Sequence, residues 1–146
     1  MRKTTFCVCA ALVALLLGSC KSPSGPSSET LAGTWRATKA QYVKVADANV
    51  TIDVVAQGST VSLVLATGTY TFTVNDTRVP QSVTTGSWTS SKDTLTLAPS
   101  GTTFTIVFDM SLNGSTLTLN GGGVMFDFNS NGTFQDATLN MVLAKQ

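Results

Sequence analysis

From Leu31 onward, apolar side chains recur at every second position, stretch after stretch. Tyr70, Phe72 and Val74 alternate with threonines, as do Leu95 and Leu97. Phe104, Ile106, Phe108 and Met110 continue the rhythm, and Leu139, Met141 and Leu143 close it. No window sustains the 3.6-residue apolar period of an amphipathic helix. Successive side chains of a strand point to opposite faces, so period two marks a sheet with one wet and one dry face. Threonine, 24 of 146 residues, and serine, 15, supply the wet face. A chain patterned this way must bring its dry faces to one interior.

The alternating stretches are short. Strands are expected over residues 34–43, 50–56, 60–66, 69–75, from Pro80 towards Trp88, 94–98, 103–112, around Leu117 and Leu119, over 124–128, and in a last strand carrying Leu139 to Leu143. That makes nine or ten. Turn residues separate them, among them Thr67-Gly68, Lys92-Asp93, Asn113-Gly114, Asn120 to Gly123 and Asn131-Gly132. Asn-Gly pairs tolerate positive φ and favour two-residue hairpins. Consecutive hairpins make an antiparallel meander. Its edges disappear on closure into an up-and-down barrel, or are managed by stacking into a sandwich. The expected class is all-β, an antiparallel β-barrel of about 8–10 strands, with a β-sandwich as the alternative.

The charges obey the same parity. Arg36 neighbours Trp35, Asp53 lies between Ile52 and Val54, Asp109 between Phe108 and Met110, and Asp127 between Phe126 and Phe128. Each should face away from its apolar neighbours, leaving an interior nearly free of charge. A transmembrane barrel needs the reverse arrangement and strands of ~9–11 residues. Charged residues are only 12% of the chain and the formal net charge is +1, which excludes the basic footprint of a nucleic-acid binder. Histidine is absent, so Ser-His-Asp and Cys-His machinery and histidine metal sites are excluded. Paired carboxylates can work as acid and base without histidine, but parity sends these aspartates outward. No catalytic residue, metal or cofactor is expected, and the chain does not read as an enzyme. Asp127, Asn129, Asn131 and Gly132 open like a calcium loop, but Thr138 stands where that loop needs a bidentate Glu. The segment reads as an Asx-rich turn. Gly121-Gly122-Gly123 lacks the Lys-Ser/Thr of a phosphate cradle and reads as a turn.

The N-terminus follows other rules. Arg2 and Lys3 precede an unbroken apolar run from Phe6 to Leu17, 12 residues against the ~20 that span a bilayer. Such a run suits the core of a secretory signal. It ends in Leu17-Gly18-Ser19-Cys20, which looks like the bacterial lipobox: Leu, two small residues, then the Cys that takes the lipid. The resemblance implies a signal peptide over 1–19 and a palmitate-type acyl anchor at Cys20. Cys7 and Cys9 then leave with the signal, and the mature domain has neither thiol nor disulfide. Residues 21–30, KSPSGPSSET, are too polar to repay ordering entropy and read as a flexible linker. In bacterial lipoprotein sorting, Asp after the lipidated Cys retains the protein in the inner membrane. Lys21 stands there, so the expected address is the outer membrane of the cell envelope. Residues 31–146 form the remaining domain.

Trp35, Phe72, Trp88, Phe104, Phe108, Phe126 and Phe128 are the aromatic candidates for a ligand lining or for the core itself. A small eight-stranded barrel is just wide enough to be filled or to hold one small molecule, and for 116 residues a mostly filled interior is the favoured expectation.

Gly33-Thr34-Trp35 at the head of the first strand resembles the G-x-W of lipocalins. The wider pattern of Leu31 to Trp35, Gly68 to Thr71, Gly86 to Trp88, Asp93 to Leu97 and Phe126 to Thr133 resembles small bacterial lipocalin-like lipoproteins. The resemblance implies an up-and-down barrel in which Trp35 packs across the closed end, with Lys145 as its basic cover. The second lipocalin motif, T-D-Y, has no counterpart, and no helix pattern follows Leu143. The expected function is an anchored envelope lipoprotein whose barrel takes a small hydrophobic ligand. The alternative is a sandwich module that meets a protein or glycan through its Thr/Ser surface. The pattern defines no oligomeric state.

Overall fold

A computed structural model describes residues 25–78 and 80–146. A one-turn helix, α1 (Ser28–Leu31), precedes nine strands. These are β1 (Gly33–Lys44), β2 (Asp47–Asp53), β3 (Thr60–Leu65), β4 (Thr69–Asn75), β5 (Ser82–Ser91), β6 (Thr94–Pro99), β7 (Ile106–Asn113), β8 (Thr116–Phe126) and β9 (Gln135–Lys145). Each strand from β3 onward pairs antiparallel with the next. The sheet then closes on itself, because β1 pairs with β9 from Trp35 opposite Lys145 to Lys44 opposite Ala137. A sandwich would leave two sheets. The first and last strands are hydrogen-bonded here, so the alternative architecture is set aside.

β2 is supernumerary. One edge of β1 holds β3 over Gly33–Arg36 and β2 over Gln41–Lys44. Eight strands, β1 and β3–β9, therefore make the closed wall, and β2 leans on its upper rim. The turns β3–β4, β5–β6 and β7–β8 lie at one end with α1. The β4–β5, β6–β7 and β8–β9 loops lie at the other.

Several expectations change in detail. Asn120 to Gly123 is not a turn: β8 runs through it, so two expected strands are one. The strand expected from residue 103 starts at Ile106, and residues 100–105 are loop. Asn113 belongs to β7 and the hairpin loop is Gly114-Ser115, with Gly114 at φ +58°. Positive φ at the first central position alone makes this a type II′ turn. The linker expected to be flexible ends in α1, where the Ser27 side chain accepts from the Thr30 N–H at 3.2 Å. The expected signal peptide, Cys20 and the head of the expected linker lie outside the described residues.

Strict parity fails at two places, and both matter. The β1–β9 register shifts between Ala37 and Lys39, which makes Thr38 an extra residue. Inward positions change from Trp35 and Ala37 to Ala40 and Tyr42. The β8–β9 register shifts between Leu119 and Gly122. Inward positions change there from Leu117 and Leu119 to Gly122, Val124 and Phe126. Both irregularities face the same stretch of β9. Thr38 Oγ1 donates to the Val142 carbonyl at 3.2 Å, and the Gly121 N–H donates to Asn140 Oδ1 at 3.0 Å. Bulges bend a strand and increase its twist. These two mark the height at which the barrel passes from filled to hollow.

Candidate ligand cavity

The closed end is sealed by two indoles. Trp35 is wholly buried, and its Nε1 donates to the Leu31 carbonyl at 2.8 Å. Lys145 Nζ stands 5.1 Å from the Trp35 ring centroid and donates to the Thr30 carbonyl at 2.9 Å. The lysine expected from the lipocalin pattern therefore covers the tryptophan. Trp88 Nε1 donates to the Ala66 carbonyl at 2.7 Å. Leu63, Leu65, Leu95, Phe108, Leu117, Leu119 and Leu143 fill the space between. Both indole donors are paired inside this plug, so it carries no polar debt.

Above the bulges the side chains no longer meet across the axis. A cavity of about 490 Å³ opens at the loop end, with Phe72, Val74, Leu97, Ile106, Val124 and Leu139 among its wall residues. The expectation of a mostly filled interior thus holds for the lower half only. The volume falls within the ~300–1,000 Å³ common for small-molecule sites. Tyr70 also borders the cavity. Its hydroxyl is buried and has no hydrogen-bond partner among the described residues, and burial raises its pKa.

The mouth is polar but self-satisfied. Arg78 Nη2 donates to Asp76 Oδ2 at 2.6 Å and Arg78 Nε to Oδ1 at 3.0 Å, a bidentate pair. Oδ1 also accepts from the Arg78 N–H at 2.9 Å and from Ser59 Oγ at 3.3 Å. The hydrogen bonds from Arg78 outweigh burial and hold the Asp76 carboxyl below its ordinary pKa. The same guanidinium lies 5.2 Å above the Phe126 ring. Phe126 in turn stacks on Tyr42, 3.9 Å between centroids, and meets Phe128 edge-on at 5.0 Å. Burial, and then the Asp76 charge, push the Tyr42 hydroxyl up to about 12.

Asp127 departs from the expected outward position. It is 9% exposed and caps its own loop. Oδ1 accepts from the Asn129 N–H at 3.1 Å and Oδ2 from the Gly132 N–H at 2.6 Å. Burial opposes its charge, but the N–H donors of Gly132, Asn131, Asn129 and Ser130 prevail and lower its pKa. The Asx-rich turn expected from the sequence is therefore present. Its carboxylate is occupied by backbone donors.

Of the seven aromatic candidates, Phe72 and Phe126 border the cavity. Trp35, Trp88, Phe108 and Phe128 belong to the buried core. Phe104 does neither: it is 57% exposed, because the chain leaves the β6–β7 ladder above Ile106 and alternation no longer directs it. Tyr42 and Tyr70 were not singled out by sequence. Strict alternation from Trp35 sends Tyr42 outward, and only the Thr38 bulge turns it in. Tyr70 sits on the dry face of the alternating β4 pattern, and that was the signal available for it.

A closed antiparallel barrel, plugged at one end and hollow at the other, defines a class of cavity-bearing up-and-down barrels. The family model described as a lipocalin-like domain matches residues 31–119, and the chain belongs to that family. Comparison with curated proteins and with solved structures finds no match. The matched segment ends at Leu119, just before the β8 bulge, so Val124, Phe126 and Leu139 of the cavity lie beyond it.

Proposed function

We propose that the protein is a lipid-anchored envelope binding protein, not an enzyme, whose barrel holds one small, uncharged, largely apolar molecule. The observation that carries this reading is the largely apolar cavity of about 490 Å³ at the loop end of the barrel. Among the described lining residues none offers an unpaired anion a free cation. The one guanidinium at the mouth is engaged by Asp76, and Asp127 adds a second negative charge. Burying an unpaired charge costs far more than apolar contact returns. The unpartnered Tyr70 hydroxyl favours a ligand with one neutral polar group over a pure hydrocarbon.

Attachment through Cys20, after removal of 1–19, follows from the lipobox resemblance, and Lys21 favours the outer membrane. Cys20→Ala should move the protein from the membrane fraction to the soluble fraction and abolish palmitate labelling. Continued fractionation with membranes would count against the anchor. For the cavity, native mass spectrometry of protein purified without detergent should show a bound mass per chain or uptake of an added long-chain alcohol. A folded protein that takes up neither overturns the binding reading.

A further inference from the structure

Of eight large apolar residues exposed among the described ones, five lie along one arc of the open rim: Val83, Phe104, Val107, Met125 and Phe134. They come from the upper ends of β5, β7 and β8 and from the β6–β7 and β8–β9 loops. Single exposed apolar residues are ordinary, but five gathered at one end of the barrel beside a cavity mark a contact surface.

The wall is open along this arc. Pairing of β7 with β8 stops at Asp109 opposite Asn120, while β8 continues beside β9 as far as Phe126. Met125 is 55% exposed and yet borders the cavity. Apolar surface thus runs from the outside of the rim into the interior.

The arc carries one exposed charge, Asp136, opposite Met125 at its β9 edge. Between Arg78 and Asp136 the charged residues are Lys92, Asp93, Asp109 and Asp127. Lys92 and Asp93 form the β5–β6 turn at the closed end, and Asp109 pairs with Thr94 beside it. Asp127 is tied to its own backbone.

We infer that this arc rests in the apolar boundary of a lipid bilayer, so that the ligand passes between membrane and cavity without crossing water. The occupant is lipid and not anionic headgroup, because no basic cluster lies on the arc. The inference uses the Cys20 anchor proposed above for its geometry. Gly25 packs against Lys92 of the β5–β6 turn, so the span from Cys20 to the barrel is five steps, a reach of roughly 17 Å. The tether therefore leaves from the foot of the β5–β7 flank, whose upper ends carry much of the arc, and that flank leans onto the membrane that holds the anchor.

Vesicle flotation of an unacylated chain beginning at Lys21 tests the rim apart from the anchor. Among the described residues every buried core residue lies between Leu31 and Leu143, and the barrel closes between Trp35 and Lys145, so this chain retains the fold. It should float with phosphatidylcholine vesicles, and equally with vesicles containing phosphatidylglycerol, at low and high salt. The triple variant Phe104→Ser, Val83→Thr, Val107→Thr should lose roughly ten-fold in the bound fraction. Its melting temperature and its uptake of a long-chain alcohol in solution should be unchanged. No flotation, or flotation that needs anionic lipid and disappears in salt, overturns the inference. So does concentration-dependent dimerisation that the triple variant abolishes, which would make the arc an interface between copies. Flotation without alcohol uptake would leave the rim inference standing and remove the cavity reading.

Discussion

At the scale of single residues, the hollow half of the barrel is governed by one ion pair and two phenols. Asp76 is almost wholly buried and is ionised because Arg78 grips it with two hydrogen bonds. Arg78→Ala leaves that carboxylate without its partner and should cost about 2–3 kcal/mol in denaturant unfolding. Asp76 has a lowered pKa in the folded state, so its contribution is present above the ordinary carboxylate pKa near ~4. It is lost as pH falls through the lowered value. Tyr42 runs the other way. Its pKa is raised to about 12, so the folded state keeps a proton that the unfolded chain releases near ~10. Stability should fall between those values with a slope approaching 1.4 kcal/mol per pH unit. Tyr42→Phe should flatten that slope in alkaline unfolding curves. Tyr70→Phe removes a buried hydroxyl that has no partner. It should be neutral or stabilise the fold by up to about 1 kcal/mol, while weakening a ligand that carries a polar group.

At the scale of elements, alternation makes most of the strands legible in the sequence. The dry residues of β3, β6, β7 and β9 are those the period-two pattern names: Val61, Leu63 and Leu65; Leu95 and Leu97; Phe108 and Met110; Leu139, Met141 and Leu143. The bulges were not legible. An extra residue such as Thr38 carries no distinct composition, and the glycines of β8 read as a turn because glycine serves both purposes. Yet the bulges place Tyr42, Val124 and Phe126 inside, so the part of the site missed in the sequence is the part they create. Phe104 failed for a related reason, since alternation has meaning only where a ladder holds the chain. The glycine run has a steric role as well. A methyl on Gly122 would overlap the edge of the Phe108 ring. Gly122→Ala should cost about 1–3 kcal/mol in thermal or denaturant unfolding. The same substitution at Gly123, where the added methyl meets nothing nearby, should cost much less.

At the scale of the whole molecule, one strand closes the barrel and also divides it. β1 meets β9 along its full length and shares its other edge between β2 and β3. The lower half packs solid around Trp35 under Lys145, and the upper half stands open. Closure was foreseeable from a meander with a dry face, whereas the hollow was not, because the same aromatics fill a core or line a pocket. Removing the cover from the closed end should loosen it modestly: Lys145→Ala forfeits the cation–π contact and the bond to the Thr30 carbonyl, about 1 kcal/mol in thermal unfolding. The central claim is that the upper half receives an uncharged ligand. Its most direct test is titration of the protein with a fluorescent long-chain alcohol and with the matching carboxylate, in the wild type and in Val124→Trp, which fills the cavity. The account predicts one site for the alcohol, binding at least about ten-fold weaker for the carboxylate, equivalent to 1.4 kcal/mol, and loss of the alcohol site in Val124→Trp with the fold intact. A folded wild type that binds neither probe, or a variant that binds the alcohol as well as the wild type, would contradict it.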